Sequence, residues 1–170
     1  MPKAESEEPT ANSQQPTAFT IEHGHGEYSD TELLEQAQGN AQALILGTMR
    51  FLEERGLAAA EWTAFLGELF SEGWGPVRPW DAGEFLDAAL TNLRSLGATV
   101  KSFEPGVERA AATIAGFPDP DLAEALGVTP AEASGYLAVV GAIATPRGLH
   151  VRWTLNHDER LHLVVERAAE

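Results

Sequence analysis

The side chains able to do acid–base or metal chemistry are few in this sequence and poorly grouped. His150 and His162 lie on two neighbouring segments that alternate apolar and polar residues, and in the hairpin register derived below both face the same side. His162 then lies opposite Thr154, four residues along from His150. At about 3.3 Å per strand residue the two rings are roughly 13 Å apart, too far to share a metal ion. His157, beside Asp158, fits an exposed turn. We expect solvated histidines.

Motifs for covalent and phosphate chemistry are also missing. The sequence contains no cysteine, which excludes disulfides, thiolate catalysis and cysteine-ligated zinc. No serine lies in a nucleophile elbow, and no glycine-rich loop precedes a helix in phosphate-binding form. His23 and His25 lie in a glycine-rich polar stretch without a carboxylate or a third imidazole at helical spacing. We therefore predict no catalytic residue, no metal site and no identifiable cofactor, and a small hydrolase stays an alternative without named residues.

The net charge limits the kinds of partner that this protein is expected to bind. The formal net charge is −15, from 26 acidic and 11 basic residues, with no local basic stripe. An acidic surface repels nucleic acid and anionic membranes, so we expect neither as a partner. No apolar run approaches the roughly 20 residues of a membrane span, and the N-terminus lacks the pattern of a signal peptide. These features predict a soluble, cytoplasmic protein.

The chain divides into a polar tail and one domain. Residues 1–28 are rich in Glu, Ser, Thr, Gln and Pro, too polar to offset the entropy of ordering, and are predicted to be disordered. Residues 29–170 form a single predicted α+β domain.

Three helices are predicted first. A capping box at Ser29–Glu32 opens a helix that ends near Gly56, a second helix ends at Gly73 or Gly75, and a third opens at Asp81. In the first helix an apolar stripe is expected to face the core: Leu34, Ala37, Ala41, Leu44, Thr48 and Leu52. The second helix carries one apolar face: Trp62, Phe65, Leu66, Leu69 and Phe70.

Strands come in two hairpins. Residues 98–103 and 107–114 flank a Pro-Gly turn, and a helix capped by Thr129-Pro130-Ala131-Glu132 precedes the alternating segments 149–155 and 160–165. One buried face on the second hairpin requires three opposed pairs: Leu155 with Leu161, Trp153 with Leu163 and Val151 with Val165. The predicted fold is α+β, helices on one face of a four-stranded antiparallel or mixed sheet, in the order helix-helix-helix-hairpin-helix-helix-hairpin.

This order resembles the 4-vinyl reductase domain family and its relatives, the haem-NO-binding domains and the Bet-type subunits of vesicle-tethering complexes. Four segments carry the resemblance: Leu96-Gly97-Ala98, Phe117-Pro118, Gly135-Tyr136-Leu137 and Gly148-Leu149-His150-Val151-Arg152. The chain departs from the family at Val139, where members often have glycine, and in lacking cysteines near the closing hairpin. The resemblance implies a small-molecule-binding or regulatory domain, commonly dimeric, with an apolar pocket, but no reductase chemistry and no cysteine-based metal site.

A helix-turn-helix is the competing interpretation. Residues 121–129 followed by the helix from Pro130 to Ala144 fit its spacing, and the last hairpin could serve as a wing. The second helix contains no Lys, Arg, Asn or Gln with which to contact bases or phosphates. This alternative is therefore an acidic winged-helix regulator that acts through protein contacts.

The favoured function is non-catalytic: a domain that binds a small apolar ligand or a protein partner, with a homodimer as one arrangement. The pocket is predicted between the first three helices and the inner face of the sheet, in line with the pocket between helices and sheet that the resemblance implies. Three of the four tryptophans, Trp62, Trp74 and Trp80, cluster around the proline loop at residues 75–79, where their rings could line a pocket mouth or a dimer surface. Its predicted helix side consists of Trp62, Phe65, Trp80 and Phe85. Its predicted sheet side consists of Val100, Phe103, Val151, Trp153 and Leu163.

Overall fold

The structure, a computed structural model, describes residues 28–168. The predicted tail apart from Tyr28, with His23 and His25, lies outside these residues. The helices are α1 (Asp30–Glu54), α2 (Ala59–Ser71), α3 (Ala82–Ser95), α4 (Pro120–Ala125), α5 (Pro130–Ser134) and α6 (Ala138–Ala144). The strands are β1 (Thr99–Glu104), β2 (Arg109–Ala115), β3 (Leu149–Leu155) and β4 (Leu161–Arg167). Short 3₁₀ turns lie at Glu72–Trp74, Gly135–Leu137 and Thr145–Arg147.

The four strands form one antiparallel sheet in the order β1-β2-β4-β3, which confirms the predicted α+β class. In the closing hairpin Leu155 pairs with Leu161, Trp153 with Leu163 and Val151 with Val165, as the alternation predicts. A bulge between Val100 and Ser102 adds one residue to β1. The added residue lets Val100 and Phe103, three positions apart, lie on the same face, because side chains alternate along a strand.

One face of the sheet packs against helices α3 and α6. The sheet residues in this core are small or branched: Ala110, Ala112, Ile114, Leu149, Val151, Leu161, Leu163 and Val165. The helix residues in it include Phe85, Leu86, Leu90 and Leu93 from α3, and Val139, Val140 and Ile143 from α6. Since α3 and α6 cover the sheet, α2 lies on α6 rather than on the strands.

Gln42 attaches α1 to the body. This buried side chain donates from Nε2 to the carbonyl oxygens of Leu96 (2.7 Å) and Gly116 (3.1 Å), and its Oε1 accepts from Asp119 N–H (2.8 Å). Leu46 and Met49, one and two turns further on, are buried on the same side of α1. A polar anchor therefore sets which side of α1 faces the protein.

The predicted core faces of α1 and α2 are wrong. On α1 the buried residues are Gln42, Leu46 and Met49, whereas Leu34 and Leu44 of the predicted stripe are 56% and 73% exposed. On α2 the buried residues are Thr63 and Gly67, whereas most of the predicted apolar face is exposed or half-buried. A different contact decides the orientation of each helix: hydrogen bonding at Gln42 for α1 and close approach to α6 at Gly67 for α2. Neither contact is visible in an apolar pattern.

The segment predicted as a helix-turn-helix contains α4, a turn and α5, with a capping box at Thr129 and Glu132. The following hairpin is part of the sheet, because β4 pairs with β2 as well as with β3. Strands β3 and β4 therefore do not form a free wing. Within residues 28–168, no helix has both the length and the apolar character to cross a membrane.

Candidate ligand-binding cleft

A cleft of about 770 Å³ lies among the helices, between α2, α3 and the segment from Tyr136 to Ile143. Its apolar wall consists of Leu69, Phe70, Trp74, Trp80, Ala88, Ala89, Leu93, Leu96, Tyr136, Val139, Val140 and Ile143. Gly73, Asn92 and Ser95 complete the lining. No strand residue belongs to it. A volume of this size is within the roughly 300–1,000 Å³ of small-molecule sites.

The way α2 packs opens the cleft. Gly67 on α2 lies so close to α6 that a Cβ atom there would overlap Ala142. This contact fixes one side of α2 against α6, while Leu69 and Phe70 on the neighbouring side remain 54% and 44% exposed and line the cleft. Helix α2 therefore contacts α6 on its Gly67 side, and its Leu69 and Phe70 side faces the cleft.

An aromatic cluster closes one end of the cleft. The rings of Trp74 and Phe85 have centroids 5.1 Å apart, and Trp80 lies 6.2 Å from each of them. The guanidinium group of Arg78 stacks over Trp80 at 5.0 Å. Tilted and edge-on aromatic pairs in this distance range are stabilising beyond their buried area, so these contacts stabilise this end of the wall.

The buried side chain of Arg147 binds the backbone at the same end of the cleft. It is 1% exposed and donates to Ser71 Oγ (2.8 Å), the carbonyl oxygens of Ser71 (2.9 Å) and Gly75 (3.2 Å), and that of Ile143 (2.8 Å). Burial lowers the pKa of its guanidinium. The carbonyl oxygens at the end of α2 and near the end of α6 carry the negative end of each helix dipole, which compensates the buried cation.

The cleft wall carries polar but no charged side chains. Asn92 Nδ2 donates to the Ala88 carbonyl (3.1 Å), and Ser95 Oγ donates to the Asn92 carbonyl (2.6 Å), so both side chains are tied to the helix backbone. Tyr136 adds a hydroxyl group, and Trp80 adds a buried indole N–H that has no hydrogen-bond partner among the described residues. Burial raises the pKa of Tyr136, so the phenol is neutral at physiological pH and retains its proton as a hydrogen-bond donor.

The residues predicted to line a pocket are distributed differently. Trp80 lies on the cleft wall, and Trp62 lies behind it with its ring 6.1 Å from that of Tyr136. Phe65 is 60% exposed on the outer side of α2. The residues of the predicted sheet side, and Phe85, belong to the core and do not line the cleft. Phe85, Leu163 and Val151 are buried, and Val100, Phe103 and Trp153 pack against the core half-buried. Trp153 also borders a smaller depression of about 410 Å³ beside Met49.

Two signals in the sequence relate to the residues that do line the cleft. The tryptophans around the proline loop suggested rings at a pocket mouth, and two of these, Trp74 and Trp80, are in the wall. Gly135-Tyr136-Leu137 opens a predicted helix of small residues, and Tyr136 is in the wall as well. Nothing in the apolar pattern separated Val139, Val140 and Ile143 from ordinary core residues, because they are buried and also border the cleft.

The histidines are placed as the register predicts. His162 pairs with Thr154, and its Nδ1 lies 3.4 Å from Thr113 Oγ1 on the neighbouring strand; His150 is exposed. Within residues 28–168, no three His, Asp or Glu side chains are grouped so as to hold a metal ion.

No protein-family model matches this chain, and no curated protein sequence matches it either.

Proposed function

We propose that this protein is a non-catalytic ligand-binding domain whose site is the cleft between α2, α3 and α6. The observation that supports this best is an open, apolar cleft of about 770 Å³ beside the buried core. Small-molecule sites are commonly apolar clefts of about 300–1,000 Å³ that carry a few polar groups, and this cleft has both features.

The lining selects an uncharged, apolar ligand. No Lys, Arg, His, Asp or Glu belongs to the cleft wall, although the chain carries 26 acidic residues. An anionic ligand would enter without a cation to compensate its desolvation, and the net charge of −15 would repel it. A neutral ligand with one hydrogen-bond acceptor can instead bind Tyr136, whose phenol is protonated.

The polar groups of the wall are suited to binding rather than to reaction. A general base or nucleophile needs a neighbour that shifts its pKa or takes its proton. Asn92 and Ser95 are engaged with the backbone of α3, and the ring of Tyr136 is held between Trp62 and Phe117 at centroid distances of 6.1 and 5.8 Å. These contacts hold the polar side chains in place and supply no proton relay.

The test is a fluorescence titration with Nile red, an uncharged apolar dye. The Ala88→Phe variant places a ring in the cleft from a half-buried position of α3, whereas Thr91→Phe places the same ring on an exposed position of α3 outside it. We expect the dye to bind the unmodified protein and Thr91→Phe equally, and Ala88→Phe at least tenfold more weakly. Equal binding to all three proteins, or no binding to any, would overturn the proposal, provided that the three proteins melt at similar temperatures.

A further inference from the structure

The indole N–H of Trp80 lies in the cleft wall without an acceptor. Trp80 is half-buried and its ring is part of the wall, whereas its Nε1 atom is buried and has no hydrogen-bond partner among the described residues. An indole nitrogen donates and does not accept, so only an oxygen or another acceptor can satisfy it. Most buried donors in folded proteins are paired, because an unpaired one lowers stability. A ligand that brings an acceptor to this N–H therefore gains binding energy.

Aromatic and cationic side chains pack around the Trp80 ring. The rings of Trp74 and Phe85 have centroids 6.2 Å from it. The guanidinium carbons of Arg78 and Arg147 lie 5.0 and 6.0 Å from its centroid. Arg147 carries a second buried donor, its Nε, that has no partner between residues 28 and 168. Donors and positive charge thus predominate at this end of the cleft, and they favour the negative end of a dipole.

The positive charge is largely balanced by neighbouring groups, so a neutral oxygen suits this end better than an anion. Arg78 pairs with Glu84 at 2.8 Å, and Arg147 donates to the carbonyl oxygens of Ser71 and Ile143. The cleft wall itself contains no basic side chain. An ionised carboxylate buried there would have no cation in contact with it, which is costly, whereas a neutral acceptor needs a single N–H.

We propose that the ligand of the cleft carries a carbonyl oxygen, which accepts a hydrogen bond from Trp80 Nε1–H while its apolar body packs against the wall. This inference rests on the proposed function, because it names the class of ligand for the same cleft. A carbonyl oxygen brings no polar proton of its own into the aromatic surroundings, as a hydroxyl group or an amine would. The phenol of Tyr136 both donates and accepts, so it selects less strictly than the indole. Neutral ketones and esters with an apolar body form this class.

The position of Trp80 in the chain allows its N–H to reach a ligand. The atom is covered by its neighbours, so the ligand oxygen contacts it once the ring has turned toward the cleft. Residues 75–81 lie between a 3₁₀ turn and α3, outside every helix and strand. A turn of this ring therefore displaces no helix.

Indole ¹H–¹⁵N NMR tests the hydrogen bond, with acetophenone and ethylbenzene as ligands. The two compounds have nearly the same shape and differ in the carbonyl oxygen, so their ring-current effects are similar. The four tryptophans give four indole signals, and that of Trp80 is assigned through its own backbone amide. We expect a saturable downfield shift of the Trp80 proton with acetophenone and not with ethylbenzene, and no such difference at Trp153.

The outcomes separate this inference from the proposed function. Wall methyl signals that move with both compounds, without the difference at Trp80, overturn the inference and leave the ligand site in place. Wall methyl signals that move with neither compound overturn both.

The ratio of the two dissociation constants tests Trp80 by substitution. Trp80→Phe keeps an aromatic ring in the wall and removes the N–H, whereas Trp153→Phe makes the same change outside the cleft. We expect the preference for acetophenone over ethylbenzene to fall about fivefold in Trp80→Phe and to stay unchanged in Trp153→Phe. Because both compounds meet the same altered wall, a general loss of fit or stability leaves the ratio unchanged. An undiminished preference in Trp80→Phe contradicts the inference, and the NMR comparison on the unmodified protein decides it if this variant does not fold.

Discussion

A Cβ atom at Gly67 of α2 would overlap the Cβ atom of Ala142 on α6, so these two residues form the closest approach between the two helices. Glycine is required there by contact and not by backbone angle, since Gly67 lies inside a regular helix. This approach sets the position of α2, and with it one wall of the cleft.

Enlarging Gly67 should destabilise the fold. We expect Gly67→Ala to lower the free energy of unfolding by about 1–3 kcal/mol, because overpacking forces backbone shifts. Gly39→Ala on α1, where a Cβ atom meets nothing within 4 Å, should instead raise it by about 0.5–1 kcal/mol through helix propensity. Chemical denaturation of both variants is the measurement. Equal effects of the same sign would show that the α2–α6 approach is not tight.

Arg147 should be essential for stability. Its replacement by Met leaves the carbonyl oxygens of Ser71, Gly75 and Ile143 without their donor. Losing these charged hydrogen bonds should lower the free energy of unfolding by about 3 kcal/mol or more. Arg160→Met, which removes an exposed ion pair with Asp158, should change it by less than about 0.5 kcal/mol. Similar values for both variants in urea unfolding would refute the structural role of Arg147.

Gln42 should hold α1 on the body. Gln42→Leu removes three hydrogen bonds to the backbone of other segments, and we expect it to lower the free energy of unfolding by about 2–3 kcal/mol. Gln36→Leu removes one exposed bond within α1, to Asn40, and should be close to neutral. Hydrogen exchange at the amides of α1 checks this directly. Exchange unchanged in Gln42→Leu would mean that apolar contacts alone attach the helix.

The two capping boxes should make stability depend on pH in the acid range. Hydrogen bonds from the side chain and then the backbone of Thr129 lower the pKa of Glu132, and those from the backbone and then the side chain of Ser29 lower the pKa of Glu32. The folded-state pKa thus lies below the ordinary value of 4.5. This contribution is present above about pH 4.5 and is lost as pH falls through the lowered pKa.

The Glu32→Gln/Glu132→Gln double variant should therefore lose less stability than the unmodified protein between pH 5 and pH 3. Denaturation midpoints at several pH values in this interval give the comparison. Identical acid slopes for the two proteins would show that the capping carboxylates do not contribute to acid sensitivity.

The strict alternation of apolar and polar residues made the register of the closing hairpin predictable. The orientation of α1 and α2 could not be predicted in this way. Trp153 opposite Leu163 followed from the requirement of one buried face, since a shift of one residue would reverse every side chain. On α1 two apolar stripes compete, and the buried one is selected by Gln42, a residue type usually assigned to the surface. Apolar periodicity therefore could not identify which stripe faces the core.

An apolar cleft lined by aromatic rings could be predicted from the sequence, but its position in the fold could not. Tryptophans near a proline loop suggested a pocket mouth, and Trp74 and Trp80 do line the cleft. The position of the remaining wall depends on where α2 packs, and the contacts of Gly67 with Ala142 and of Arg147 with Ser71, both distant in sequence, hold α2 in place. Single residues of these types give no sequence signal of such contacts.

A methyl NMR titration with 2-naphthalenemethanol, an uncharged aromatic alcohol, tests the ligand site most directly. Leu93, Val139, Val140 and Ile143 report on the cleft wall, while Val107 and Val164 lie elsewhere in the fold. We predict saturable shifts at the four wall residues, caused by the ring current of the bound ligand, and none at the two controls. Wall methyl signals that do not move, or shifts confined to Leu33 and Leu44 on α1, would contradict a ligand site in the cleft.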